Sequence, residues 1–244
     1  MHVDLIHFTG KGTTDEGWYA ARLLAFTKGT RLNMTPDGLE KFMTMPLLAL
    51  QKELTYMSST IASSWEFVDL IFAINGISRA CAQQITRSRQ ASYAMQSQRV
   101  TNMKDVTCHV PDSVPEDCVL YYKLTLGAAL ASYDKLVKDG CPLEDARGVL
   151  PMNTHCNLIA KYNLRAWVDL VRARDSMRVQ SEYREVIAAM KAAAIKAWPW
   201  AATFIEPKQA KAIALIEQVA NALPAGELRT NLAKGADLLK KETA

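Results

Sequence analysis

Apolar positions recur at helical spacing through much of this 244-residue chain, and a few β-rich runs interrupt them. Residues 14–27 begin with cap-type and acidic residues and predict an N-capped helix. A second helix starts at Thr35-Pro36-Asp37, with threonine as cap and proline at the first helical position. Pro46 interrupts it before a further stretch over 47–59. Residues 66–74 are rich in β-branched and aromatic types and read as a strand. A short helix over 76–85 then leads into a turn, and 92–100 is extended, with Tyr93 and Met95 on one face and Ala94 and Gln96 on the other. Residues 115–138 form a long helix, closed by Asp139-Gly140 and followed by Pro142. In 153–171, Ile159, Tyr162, Ala166 and Leu170 share one helical face. Helix continues over 177–197 and ends at Trp198-Pro199-Trp200. Two more helices, about 206–221 and 226–241, finish the chain, and the last is Lys-rich and peripheral. The pattern predicts an α+β fold, helix-rich, with a small mixed or antiparallel sheet, read as one domain over 1–244.

Composition narrows the class. With 49% hydrophobic and 22% charged residues the chain resembles a soluble globular protein with a sizeable core. A net charge of +4 is too mild to drive nonspecific nucleic-acid binding by overall field. The opening Met-His-Val-Asp-Leu-Ile-His lacks the basic start and apolar run of a signal peptide, and no apolar stretch reaches the ~20 residues needed to span a bilayer. Cys81, Cys108, Cys118, Cys141 and Cys156 are odd in number and form no C-x-x-C pair, which favours a reducing, cytoplasmic setting. His7, His109 and His155 show no metal-ligand spacing, and there is no Gly-rich phosphate loop or dinucleotide fingerprint.

One segment departs from this even background. Between Asp69 and Asp105 the chain carries Arg79, Arg87, Arg89, Arg99 and Lys104 but no acidic residue. Within it, Gln84 to Arg99 interleaves three arginines with Ser88, Ser92 and Ser97. Guanidinium forks donate paired, charge-assisted hydrogen bonds to phosphate, so an anionic ligand is expected here. The same arginines would also fit a solvated basic face.

Arg87-Ser88-Arg89 followed by Ser97 and Arg99 resembles the signature of the flavin-dependent thymidylate synthases, the ThyX type. A second block strengthens the likeness. Ala146-Arg147-Gly148-Val149-Leu150-Pro151, then Asn163-Leu164-Arg165, Arg174 and Gln180-Ser181-Glu182 follow the family's order and spacing, as does Trp198-Pro199-Trp200. The signature-bearing similarity covers 60–205, and the N-terminal strand and helix are compatible with it.

The resemblance implies a homotetramer whose sites combine several subunits. It implies an enzyme that makes dTMP from dUMP, with methylenetetrahydrofolate as carbon donor and FAD reduced by NADPH. No enzymic nucleophile is needed in such chemistry, so the cysteines require no catalytic role. Arg174 is implied as the cation beside the uracil, where positive charge raises electron density at C5. The nucleotide phosphate falls to Arg87, Ser97 and Arg99, with Gln84 and Arg147 assisting; Met95, Gln96 and Gln98 complete the substrate set. Arg87, Ser88, Arg89, Asn163 and Arg165 are implied flavin contacts, joined by Ser63 and Asp169. On a continuous helix Asn163 and Arg174 would share a face about three turns apart, while Arg165 lies roughly 200° away. Gln180 and Glu182 are expected to be structural supports.

Four departures stand out. Ser88 replaces the middle histidine of the family's Arg-His-Arg, and Ile61 and Phe67 stand where an upstream element carries two more, with Ser63 and Glu66 retained. Ala94-Met95 replaces an Asn-Glu pair, and Asp169 stands for an asparagine. The changed elements, Ser-Ser-Trp-Glu-Phe among them, resemble a virus-encoded branch, which would place the enzyme in host cytoplasm. Lost imidazoles remove rings that stack and titrate near neutral pH. The alternative reading is therefore a sibling flavoenzyme adding another one-carbon group, such as hydroxymethyl, to a pyrimidine nucleotide. A nonenzymatic nucleic-acid-binding protein, using 70–104, is the remote alternative.

Overall fold

The computed structural model describes residues 1–29, 38–60, 62–174, 178–205 and 208–243. Four strands, β1 (His2–Phe8), β2 (Asp69–Ser78), β3 (Ser92–Met95) and β4 (His155–Asn163), form a fully antiparallel sheet in the order β1-β2-β4-β3. Eleven α-helices are described: α1 (Tyr19–Gly29), α2 (Gly38–Met43), α3 (Leu47–Thr60), α4 (Arg79–Ile85), α5 (Glu116–Lys138), α6 (Leu143–Ala146), α7 (Leu164–Arg174), α8 (Ser181–Ala197), α9 (Ala202–Ile205), α10 (Lys208–Ala222) and α11 (Glu227–Thr243).

The main correction concerns 155–163, which is the inner strand β4 and not part of a helix. Cys156, Leu158, Ala160 and Tyr162 are buried while Asn157, Ile159 and Lys161 face outward, a period of two. Ile159, placed on the apolar side of the expected helix, is 47% exposed. Helix begins only at Leu164, where the Asn163 side chain accepts from the Ala166 N–H at 2.8 Å. Asn163 and Arg174 therefore do not share a helix face.

Other boundaries shift by a few residues. The 14–27 helix begins at Tyr19, because Asp15 closes a turn with Trp18 and Tyr19 and pairs its carboxylate with Arg22. Glu66 and Phe67 lie in a 3₁₀ turn (Ala62–Phe67), and β2 runs on to Ser78 through a bulge at Gly76, φ +66°. The 76–85 helix thus starts at Arg79. The 92–100 strand stops at Met95, and Thr101 folds back onto the Ser97 carbonyl. The cap at Thr35-Pro36-Asp37, Ile61 and the start of the 177–197 helix lie outside the described residues.

The core lies on one face of the sheet. Leu70, Phe72 and Ile74 of β2 and the inward residues of β4 meet a helical layer that buries Trp167, Tyr183, Met190, Trp198 and Phe204. A smaller cluster, Met103, Tyr133 and Ala146, seats α5. Tyr133 is the only buried residue of that 23-residue helix, which leaves Leu120, Tyr121 and Leu124 exposed. α10 and α11 pack against each other. Among the described residues no helix is long and apolar enough to cross a membrane.

Candidate active site

The floor of the site is built where β4 hands over to α7 and α4 ends in a turn. Tyr162 comes from the last inward position of β4, while Ala166, Asp169, Leu170, Ala173 and Arg174 come from one side of α7. Opposite them, Arg87, Ser88, Arg89, Gln90 and Ala91 follow α4. Together these groups line an open cavity of about 410 Å³. A second hollow of about 240 Å³ shares Arg89, Gln90 and Ala91 and adds Asp69, Ser92, Lys161 and Asn163.

Beneath the cavity runs a series of hydroxyls. Tyr162 donates to Tyr93 at 3.2 Å, and Tyr93 donates to the Ser88 carbonyl at 2.8 Å. Burial pushes the phenols of Tyr93 and Tyr162 up, so both stay neutral in the working range of most enzymes. Burial also raises Tyr183, against the pull of the nearby Ser88 side chain and Arg174. The Arg174 guanidinium lies 5.6 Å from the Tyr183 ring centroid, a cation–π contact. Its Nε is buried and has no hydrogen-bond partner among the described residues.

A second group sits apart from this cavity. Ser97 caps its own turn by accepting from the Arg99 N–H at 3.2 Å, and Arg99 lies 3.9 Å from the Glu144 carboxylate. Arg147 donates to the Glu144 carbonyl at 3.1 Å. None of these residues lines the Arg174 cavity. Gln98 is buried, with an unpartnered Nε2.

A model of the family described as thymidylate synthase complementing protein matches residues 20–200. The flavin-dependent thymidylate synthase of Pyrococcus horikoshii is 31% identical over 196 residues, covering 76% of both chains. The chain belongs to this family. Others are similar over a shorter stretch: the flavin-dependent thymidylate synthases of Pyrococcus abyssi at 36% and Thermococcus kodakarensis at 39%, each over 127 residues, or 50% of this chain and 52% of theirs. The chain thus spans about half the length of the first curated relatives it matches.

Within this member of the family, the expected residues divide. Arg87, Ser88, Arg89, Asp169 and Arg174 meet at the cavity. Arg99 and Arg147 meet at Glu144, and Ser97 accepts from the Arg99 N–H. Met95 packs against the core from β3, and Gln96 extends the pairing with Asn157 by backbone and side chain. Gln84 is taken up by Gln180, and Asn163 both caps α7 and borders the second hollow. Arg165 pairs with Glu66 at 2.7 Å, and Ser63 is exposed; neither Arg165 nor Ser63 lines the cavity. Tyr93, Tyr162 and Tyr183 were not singled out as site residues by the sequence. Only the period-two pattern of β4 could have flagged Tyr162, and nothing local flags Tyr183.

None of the five free cysteines lines the cavity. Burial pushes the Cys81 and Cys156 thiols up. Among the described residues no cluster of three His, Cys, Asp or Glu is suited to a metal ion.

The cap at α7 has a measurable cost. Asn163→Ala is expected to lower unfolding free energy by about 1 kcal/mol, measured by urea denaturation of flavin-free protein.

Proposed function

We propose that this protein makes dTMP from dUMP, taking the carbon from methylenetetrahydrofolate and the hydride from FAD reduced by NADPH. One observation carries the reading: Arg87, Ser88, Arg89 and Arg174 of a thymidylate-synthase family member face one cavity. The donor set fits an anionic, carbonyl-bearing ligand. Bound FAD would supply the hydride for reduction at the pyrimidine. Arg87, Ser88 and Arg89, with Asn163, Arg165, Asp169 and Ser63, are the residues that would hold it. The paired hollows on either side of Arg89-Gln90-Ala91 suit an extended ligand.

Arg174 then serves the substrate. Its guanidinium, backed by the Tyr183 ring, would donate to the uracil and stabilise negative charge developing on the base. The phosphate would be bound by Arg87 together with Ser97, Arg99 and Arg147. In one chain the last three lie outside the Arg174 cavity, which supports a site completed by another subunit. Exposed Leu120, Tyr121 and Leu124 on α5, and Ile6 and Ile159 on the outer sheet face, supply apolar surface for a homotetramer. A cytoplasmic setting suits the free thiols.

Ser88 at the cavity, where the family signature has histidine, favours one second reading: a sibling enzyme that attaches hydroxymethyl in place of methyl. The arginines gather around a concavity, which suits a compact anion better than a nucleic-acid strand. Purified protein is expected to carry FAD and to perturb the flavin absorbance when dUMP is added. A colourless protein that takes up no FAD would sink both enzymatic readings.

A further inference from the structure

The start of α8 touches the site at three points. Gln180 Oε1 accepts from Gln84 Nε2 in the last turn of α4. Glu182 accepts from the Ser78 N–H at 2.6 Å and from the Ser78 hydroxyl at 2.5 Å. Ser78 is the N-cap of that same helix, its Oγ accepting from the Cys81 N–H at 3.0 Å. Tyr183, the next residue, lies beneath Arg174.

We infer that Glu182, flanked by Gln180 and Tyr183, is a positioning residue that fixes the Arg87 turn relative to Arg174. The inference rests on the nucleotide-site reading above and deepens it. Glu182 is 3% exposed, and a carboxylate in that setting is costly unless its oxygens are satisfied. Both oxygens are directed at one helix cap, and His109 Nε2 stands 3.9 Å from the oxygen that accepts from the Ser78 hydroxyl. α4 has only seven residues, too few to hold a helical orientation on its own. Its direction must come from contacts outside it, and α8 grips it at both ends.

Arg87 moves with this helix. The Arg87 N–H reaches the Gln84 carbonyl and the Ser88 N–H reaches the Ile85 carbonyl, so the helical turn continues into the arginine segment. Glu182 and Tyr183 are adjacent, so the Arg87 side and the Arg174 side of the cavity take their positions from one rigid point. Binding groups must hold within about 0.5 Å of their working geometry, which is what such a frame provides.

The test uses the FAD-loaded full chain and the variants Glu182→Ala, Glu182→Gln and Gln180→Ala, read by dUMP titration and amide hydrogen exchange. Glu182→Ala is expected to weaken dUMP binding roughly tenfold and Gln180→Ala about threefold. Exchange should quicken in 79–89 more than elsewhere. Glu182→Gln, which keeps an acceptor for the Ser78 N–H, should recover part of the loss. Gln180 is exposed, so its variant decides the matter if Glu182→Ala does not fold. Unchanged dUMP affinity and unchanged exchange in 79–89, with only a lower melting temperature, would overturn the inference. If the wild type binds no dUMP but 79–89 still loosens in the variants, the positioning role stands and the substrate reading fails.

Discussion

Arg174→Ala is expected to reduce kcat/KM for dTMP formation by about 10²–10³-fold, with the protein still folded and still binding FAD. Arg174 ends α7 at the cavity, with its guanidinium stacked on Tyr183. Its removal takes away the cation nearest the place where the base would gain negative charge. A single preorganised donor of this kind is worth roughly 3–4 kcal/mol in a transition state. The stack on Tyr183 contributes about 1 kcal/mol to stability, so unfolding does not explain the loss. Arg174→Lys should rescue little, because an ammonium offers a point charge in place of a planar fork. Steady-state kinetics alongside a denaturation curve checks this, and activity within tenfold of wild type would remove Arg174 from its role.

The second large effect concerns how the site is assembled. Arg99→Ala should also be nearly inactive, although Arg99 is exposed in the single chain and pairs only loosely with Glu144. Mixing Arg99→Ala with Arg174→Ala subunits, after dissociation and reassembly, should restore activity. If each site takes Arg174 from one subunit and Arg99 from another, random mixing leaves both intact in about a quarter of sites. Neither parent chain carries both arginines, so a site made within one chain could recover nothing. Activity of the mixture against that of the separate parents distinguishes the two arrangements.

How much of this was legible in the sequence depended on how local the cause was. α5 could be read because its stop, Asp139-Gly140 before Pro142, is local, and Gly140 does adopt a positive φ. β4 was misread because Ile159, Tyr162, Ala166 and Leu170 satisfy a helical period, while Cys156, Leu158, Ala160 and Tyr162 satisfy a strand period over the same stretch. What decided it was pairing to β2 and β3, contacts far away in the chain. The arginines of the site were visible from a missing class of residue: with no acids over 70–104 they had few local partners. Glu182 was expected to be a support, but its partner Ser78 lies 104 residues away and no spacing rule connects them. Tyr183 was hidden for the same reason. Ser88 could be seen as a departure, yet its place between Tyr93 and Tyr183 comes only from the fold.

The most direct measurement is the mass of the nucleotide product. Purified protein loaded with FAD is incubated with dUMP, methylenetetrahydrofolate and NADPH, and the nucleotide is recovered. The account predicts dUMP heavier by one methylene, co-eluting with dTMP and absent when FAD or NADPH is omitted. A product carrying an extra oxygen, or unchanged dUMP from a protein that holds both FAD and dUMP, would contradict it.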